Sequence, residues 1–93
     1  LNQKEDEEQE LQVDIYSHED RIYATVDLSH ELDIIESELE INLIDSGKSF
    51  QLMKTTQLRP FKKFDLPNSV SQIVDWSLNN GILDVTFDIK NNN

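Results

Sequence analysis

Phe64-Asp65-Leu66-Pro67, followed after a short alternating run by Asn80-Gly81-Ile82-Leu83-Asp84-Val85-Thr86-Phe87, is the stretch that decides the fold. Its first part reads as a strand ending on a leucine and stopped by a proline, a residue that cannot donate to a ladder. Its second part opens on Asn-Gly, the pair that best tolerates the left-handed backbone of a tight hairpin. Beyond that turn Leu83, Val85, Phe87 and Ile89 recur at every second position, the period of a strand with one buried face. Val74, Trp76 and Leu78 alternate in the same way before it, so a hairpin is expected around Asn79-Asn80-Gly81.

The same period extends outward through the chain. Leu11, Val13 and Ile15 form one face of a strand, and Ile22, Ala24, Val26 and Leu28 one face of the next, with Ser17-His18-Glu19-Asp20 as the connecting turn. Leu39, Ile41 and Leu43 alternate with Glu38, Glu40 and Asn42; Asp45-Ser46-Gly47 turns the chain, and Phe50 and Leu52 continue in the returning strand. Leu58 to Leu66 reads as a further strand, with Pro60 at an edge or a bulge. Ser29 to Ser37 is expected to be a structured loop, although Leu32, Ile34 and Ile35 would also suit a short helical turn capped by Ser29. About seven short strands with one apolar face each must cover that face with a second sheet, which gives an all-β, antiparallel β-sandwich.

The 93 residues suffice for one modest core. The expected layout is an acidic disordered tail over 1–10, a sandwich over 11–90 and a disordered tail over 91–93. The formal charge of −11, with Glu5, Asp6, Glu7, Glu8 and Glu10 against Lys4 at the start, repels phosphate backbones and anionic lipid surfaces. Neither nucleic acid nor membrane is an expected partner. The absence of Cys rules out disulfides and thiolate metal sites and suits a reducing, cytoplasmic setting. No apolar run approaches the ~20 residues of a membrane span. The chain opens on Leu1 rather than Met, as a piece of a longer protein would.

Phe64, Leu66 and Pro67, then Asn80, Gly81, Ile82 and Leu83, resemble the two-part motif of the small heat-shock protein (α-crystallin) domain, roughly F-x-R-x-F-x-L-P and then A-x-x-x-N-G-V-L. Lys62 stands where that family usually has Arg, and Trp76 where it usually has Ala. Val13 to Tyr16 and Ile22 to Leu28 resemble its opening strand pair, with Asp27-Leu28-Ser29-His30 in place of D-L-P-G. The resemblance spans residues 13 to 89 and implies an immunoglobulin-like sandwich that holds exposed apolar segments of other proteins without ATP. It also implies a groove, bordered by the strand at Leu39 to Leu43 and the strand at Ile73 to Ser77, that accepts an extended segment. That nominates Leu39, Ile41, Leu43 and Ile73, although the first three would be core positions in any sandwich. Two family features are not matched: only Thr55 to Gln57 stand where a long loop with a partner-exchanged strand is usual, and no I-x-I anchor follows Ile89. A monomer or weak homodimer is therefore expected, and the comparison extends to reduced relatives and CS-type co-chaperones that recognise one folded partner.

No chemistry competes strongly with a binding role. His18 and His30 lie in expected loops without companion ligands, so no metal is expected, and a metal- or small-ligand-binding sandwich is the weakest reading. With two glycines, Gly47 and Gly81, there is no phosphate-cradling loop, and no nucleophile elbow is present. Asp27 and Asp84 are the carboxylates to inspect for a shifted pKa, with a cross-strand Lys or Arg as the ordinary explanation. No catalytic residue and no cofactor are expected, and the chain does not read as an enzyme. Ile44, Met53, Ile73 and Ile82 fall out of phase with their strands, and some of them are expected to line an edge or a groove rather than the core. Trp76 is either a core anchor or a groove filler.

Overall fold

A computed structural model describes residues 12–30, 34–56 and 60–90, with only the backbone of Phe61. The expected tails at 1–10 and 91–93, and the reading of Leu32 and Leu58, lie outside the described residues. Seven strands run in chain order: β1 (Gln12–His18), β2 (Arg21–Asp27), β3 (Leu39–Ile44), β4 (Ser49–Lys54), β5 (Pro60–Asp65), β6 (Val70–Asn79) and β7 (Ile82–Ile89). They form a four-stranded sheet ordered β1-β2-β7-β6 and a three-stranded sheet ordered β3-β4-β5, with every pairing antiparallel. Single 3₁₀ turns at Glu36–Glu38 and Asp45–Gly47 flank β3.

Strand parity sends the apolar sets inward. Ile22, Ala24 and Val26 of β2 and Leu83, Val85 and Phe87 of β7 are fully buried, facing Leu39 and Ile41 of β3 and Phe50 and Leu52 of β4. Burying one such side chain is worth about 1.5–3 kcal/mol, and this set is what holds the sheets together. The tilted contact between the Phe50 and Phe87 rings, with centroids 5.1 Å apart, joins one sheet to the other. Phe64 of β5 also packs against Phe50, with ring centroids 5.2 Å apart.

The turns follow their residues. Asn80 and Gly81 have φ of 53° and 81°, the paired left-handed geometry of the tightest hairpins. The Gly81 carbonyl accepts from Leu28 N–H at 2.7 Å, tying the β6–β7 turn to the end of β2. At the β3–β4 turn Asp45, Ser46 and Gly47 all have positive φ, and Gly47 is buried against Val70 of β6. Pro60 sits on outer strand β5 beside the bulge at Leu52/Met53. Strands β4 and β5 pair directly across the link at 55–59.

One strand departs from its expected phase. Strand β6 is bulged between Val70 and Gln72 and again between Ile73 and Asp75, so its parity changes within the run. Ile73 lies opposite Phe87 and packs against the core, whereas Val74, expected inward, is 38% exposed. Trp76 lies opposite Val85, half-buried, and packs against the core with Leu78.

Candidate functional site

The candidate groove is a matter of two sheet edges. Strand β3 is the outermost strand of its sheet and β6 of the other. The 3₁₀ turn that follows β3 rests on the start of β6: a Cβ on Gly47 would fall 2.1 Å from the Val70 carbonyl oxygen. The last residues of β3 and the first of β6 are thereby brought together.

Of the four nominated residues, Leu39 and Ile41 go into the core, at 5% and 9% exposure. Leu43, opposite Phe50, and Ile73, opposite Phe87, are half-buried and pack against that core from the outermost strands. The structure thus divides the set into two buried core residues and two half-buried ones on outermost strands. Sequence reasoning missed Val74, whose side chain is turned outward on β6 by the bulge, and Ile35, 52% exposed just before β3. The adjacent Ile73-Val74 pair, two aliphatics in an otherwise alternating strand, was the available signal of the bulge. Of the other residues expected out of phase, Ile44, Met53 and Ile82 are half-buried.

The edges carry different ladders. All six residues of β3 pair in unbroken register with β4, from Leu39 opposite Lys54 to Ile44 opposite Ser49. On β6 the ladder is interrupted by its two bulges. Lys62 is half-buried and faces Leu52 in the register. A cleft of about 600 Å³ lies at the β3–β4 turn, lined by Asp45, Ser46, Lys48, Ser49, Asp65 and Leu66.

Among the described residues, two carboxyls are moved from the ordinary range, both downward. Asp27 accepts from Ser29 Oγ at 2.5 Å and Ser29 N–H at 2.9 Å, and these two bonds, side chain first, hold its carboxyl below the usual range. Asp88 is lowered chiefly by the Gln72 carboxamide at 2.8 Å, then by Arg21. Asp84 accepts from Thr25 Oγ1 at 2.9 Å. Hydroxyl donors, not the expected Lys or Arg, are the partners found for Asp27 and Asp84, because Ser29 and Thr25 lie nearer in turn and register. Among the described residues no group of three or more His, Cys, Asp or Glu could hold a metal ion, and no helix is long and apolar enough to cross a membrane.

A pH dependence follows from Asp27. A carboxyl lowered in the folded state stabilises the fold above its unfolded value of about 4, and that contribution is lost as pH falls through the folded value. Ser29→Ala should raise the Asp27 pKa toward the ordinary value and flatten the acid limb of the stability curve. Titration of the Asp27 side chain by NMR in both proteins checks this; an unchanged midpoint would contradict the assigned cause.

No family model matches the sequence, and no curated protein matches it. Among solved structures, heat shock protein 16.0 from Schizosaccharomyces pombe superposes with a TM-score of 0.62, covering 87% of this chain and 87% of that one at 15% identity. The fold is that of a small heat-shock, α-crystallin-like domain. In this α-crystallin-like fold the motif residues have structural duties. Pro67 ends the segment after β5, Asn80-Gly81 makes the β6–β7 turn, and Phe64 and Leu66 pack against the core.

Proposed function

We propose that this protein is an ATP-independent, small heat-shock-like holdase that takes up exposed apolar segments of unfolding proteins between the edges of β3 and β6. The carrying observation is the α-crystallin-like fold over 87% of the chain. Half-buried aliphatics on two outermost strands support the location: the β3 ladder offers backbone pairing, and Leu43 and Ile73 offer apolar contact at the rims. Holding needs only a higher affinity for unfolded than for folded surface, so no catalytic group is required. The charge of −11 keeps a loaded complex dispersed. The setting we propose is cytoplasmic.

The test is suppression of aggregation of a heat-denatured client, followed by light scattering. Wild type should suppress scattering at near-stoichiometric ratios, and Leu43→Ser combined with Ile73→Ser should lose most of that effect while keeping its β-sheet circular dichroism. Wild type that fails to suppress even at molar excess would end the holdase reading.

The direct pairing of β4 and β5 across residues 55–59 favours a second reading. So short a link leaves no strand to exchange with another copy, which suits a monomer or weak homodimer acting as a co-chaperone or assembly-accessory module for one folded partner. Failure in the aggregation assay together with capture of a single stoichiometric partner would select it.

A further inference from the structure

Met53 is the chain's single methionine, and it lies on the outer face of the three-stranded sheet. Asn42, across the ladder on β3, directs its Nδ2–H at Met53 Sδ at 3.4 Å, and Gln51, two residues earlier on β4, directs its Nε2–H at the same sulfur at 3.4 Å. Asn42 and Gln51 are themselves opposite one another in the register, so the two carboxamides converge on the thioether from neighbouring strands. No other side-chain acceptor serves either carboxamide among the described residues.

That arrangement is a poor match for a thioether, which is a weak acceptor. It is a good match for a sulfoxide, whose oxygen is strongly polar. We propose that Met53 is a site of oxidation by hydrogen peroxide, with Asn42 and Gln51 placed to receive the sulfoxide oxygen. In the reaction the sulfur lone pair attacks one peroxide oxygen. The S–O bond forms as the O–O bond breaks, sulfur is oxidised by two electrons, and the second oxygen leaves as water after taking the proton of the first. The side chain is half-buried on an outer face, so peroxide reaches it without unfolding, and with no cysteine in the chain no thiol competes. An oxygen added on the amide side of Sδ faces the two N–H groups, and the flexible carboxamides draw back to make room for it, exchanging two weak bonds for two stronger ones.

Methionine oxidation ordinarily disrupts packing. Here the oxidised protein is expected to melt at the same temperature as the reduced protein or above it. The experiment treats the folded protein with hydrogen peroxide, locates a single added oxygen on Met53 by peptide mass mapping, and compares thermal unfolding before and after. The same comparison is made for a variant carrying Asn42→Ala and Gln51→Ala, where oxidation should lower the melting temperature by about 4–8 °C, the response of a domain this size to a modest loss. Three results would overturn the proposal: no uptake of oxygen by folded protein, a lower melting temperature for oxidised wild type, or the same response to oxidation in wild type and variant.

Discussion

Phe50→Ala is expected to lower the stability of the domain by about 3–5 kcal/mol, the range for emptying a buried phenylalanine site. Phe50 is fully buried on the central strand of the three-stranded sheet, and its ring touches Phe64 within that sheet and Phe87 across the core. Truncation therefore removes the contact between the sheets as well as its own transfer term. The backbones that carry the flanking rings are held by strand pairing, Phe87 on β7 between β2 and β6 and Phe64 on β5 against β4, which limits how far they can move into the space. At roughly 4–8 °C per kcal/mol for a domain of this size, the melting temperature should fall by about 12 °C or more. Thermal and urea unfolding check this; a loss below about 1.5 kcal/mol, the scale of one or two methylenes, would mean that the core closes over the gap.

The second large effect is expected from Gly47→Ala, at about 2–5 kcal/mol. The left-handed backbone at φ 85° disfavours an L side chain by about 1–2 kcal/mol. The new methyl would also meet the Val70 carbonyl oxygen at 2.1 Å, with Val70 nitrogen and carbonyl carbon at 3.1 and 3.2 Å. These are backbone atoms of a paired strand, so relief requires moving the end of β6, and crowding of that kind costs about 1–3 kcal/mol. Urea midpoints of the two proteins measure it, and a change within about 0.5 kcal/mol, the scale of a neutral surface substitution, would show that the turn can back away freely.

Much of this architecture was legible because period and turn chemistry agreed. Strands β2 and β7 keep their alternation from end to end, so Ile22, Ala24, Val26, Leu83, Val85 and Phe87 could be assigned to the core from the sequence and are buried. The Asn80-Gly81 turn was legible because few other pairs accept two left-handed residues in succession. Strand β6 was not: a bulge inserts a residue without altering composition, and a count of two therefore put Val74 inside and Ile73 outside when the bulged backbone does the reverse. The candidate groove was legible only as a strand pair. Whether an inward residue is fully enclosed, as Leu39 and Ile41 are, or half-buried, as Leu43 and Ile73 are, depends on strand order and on where the other sheet ends, and both are set by long-range pairing. The partners of Asp27 and Asp84 escaped for a smaller reason, because hydroxyls compete with Lys and Arg on equal terms wherever they stand closer.

The bulges of β6 also make the two sides of the proposed groove unlike. Strand β3, regular along its whole length, would offer an uninterrupted row of amides and carbonyls to a passing chain, and such a row would grip an extended backbone whatever its side chains. Strand β6 has its row broken twice, which spoils it as a template and puts Ile73, rather than Val74, in phase with the inward Trp76 and Leu78. A segment lying between them would be gripped on one side without regard to sequence and judged on the other by the shape of its side chains. Breadth and preference would then reside in separate strands and could be altered separately: proline substitutions in the client segment would weaken the first, and changes at Ile73 the second.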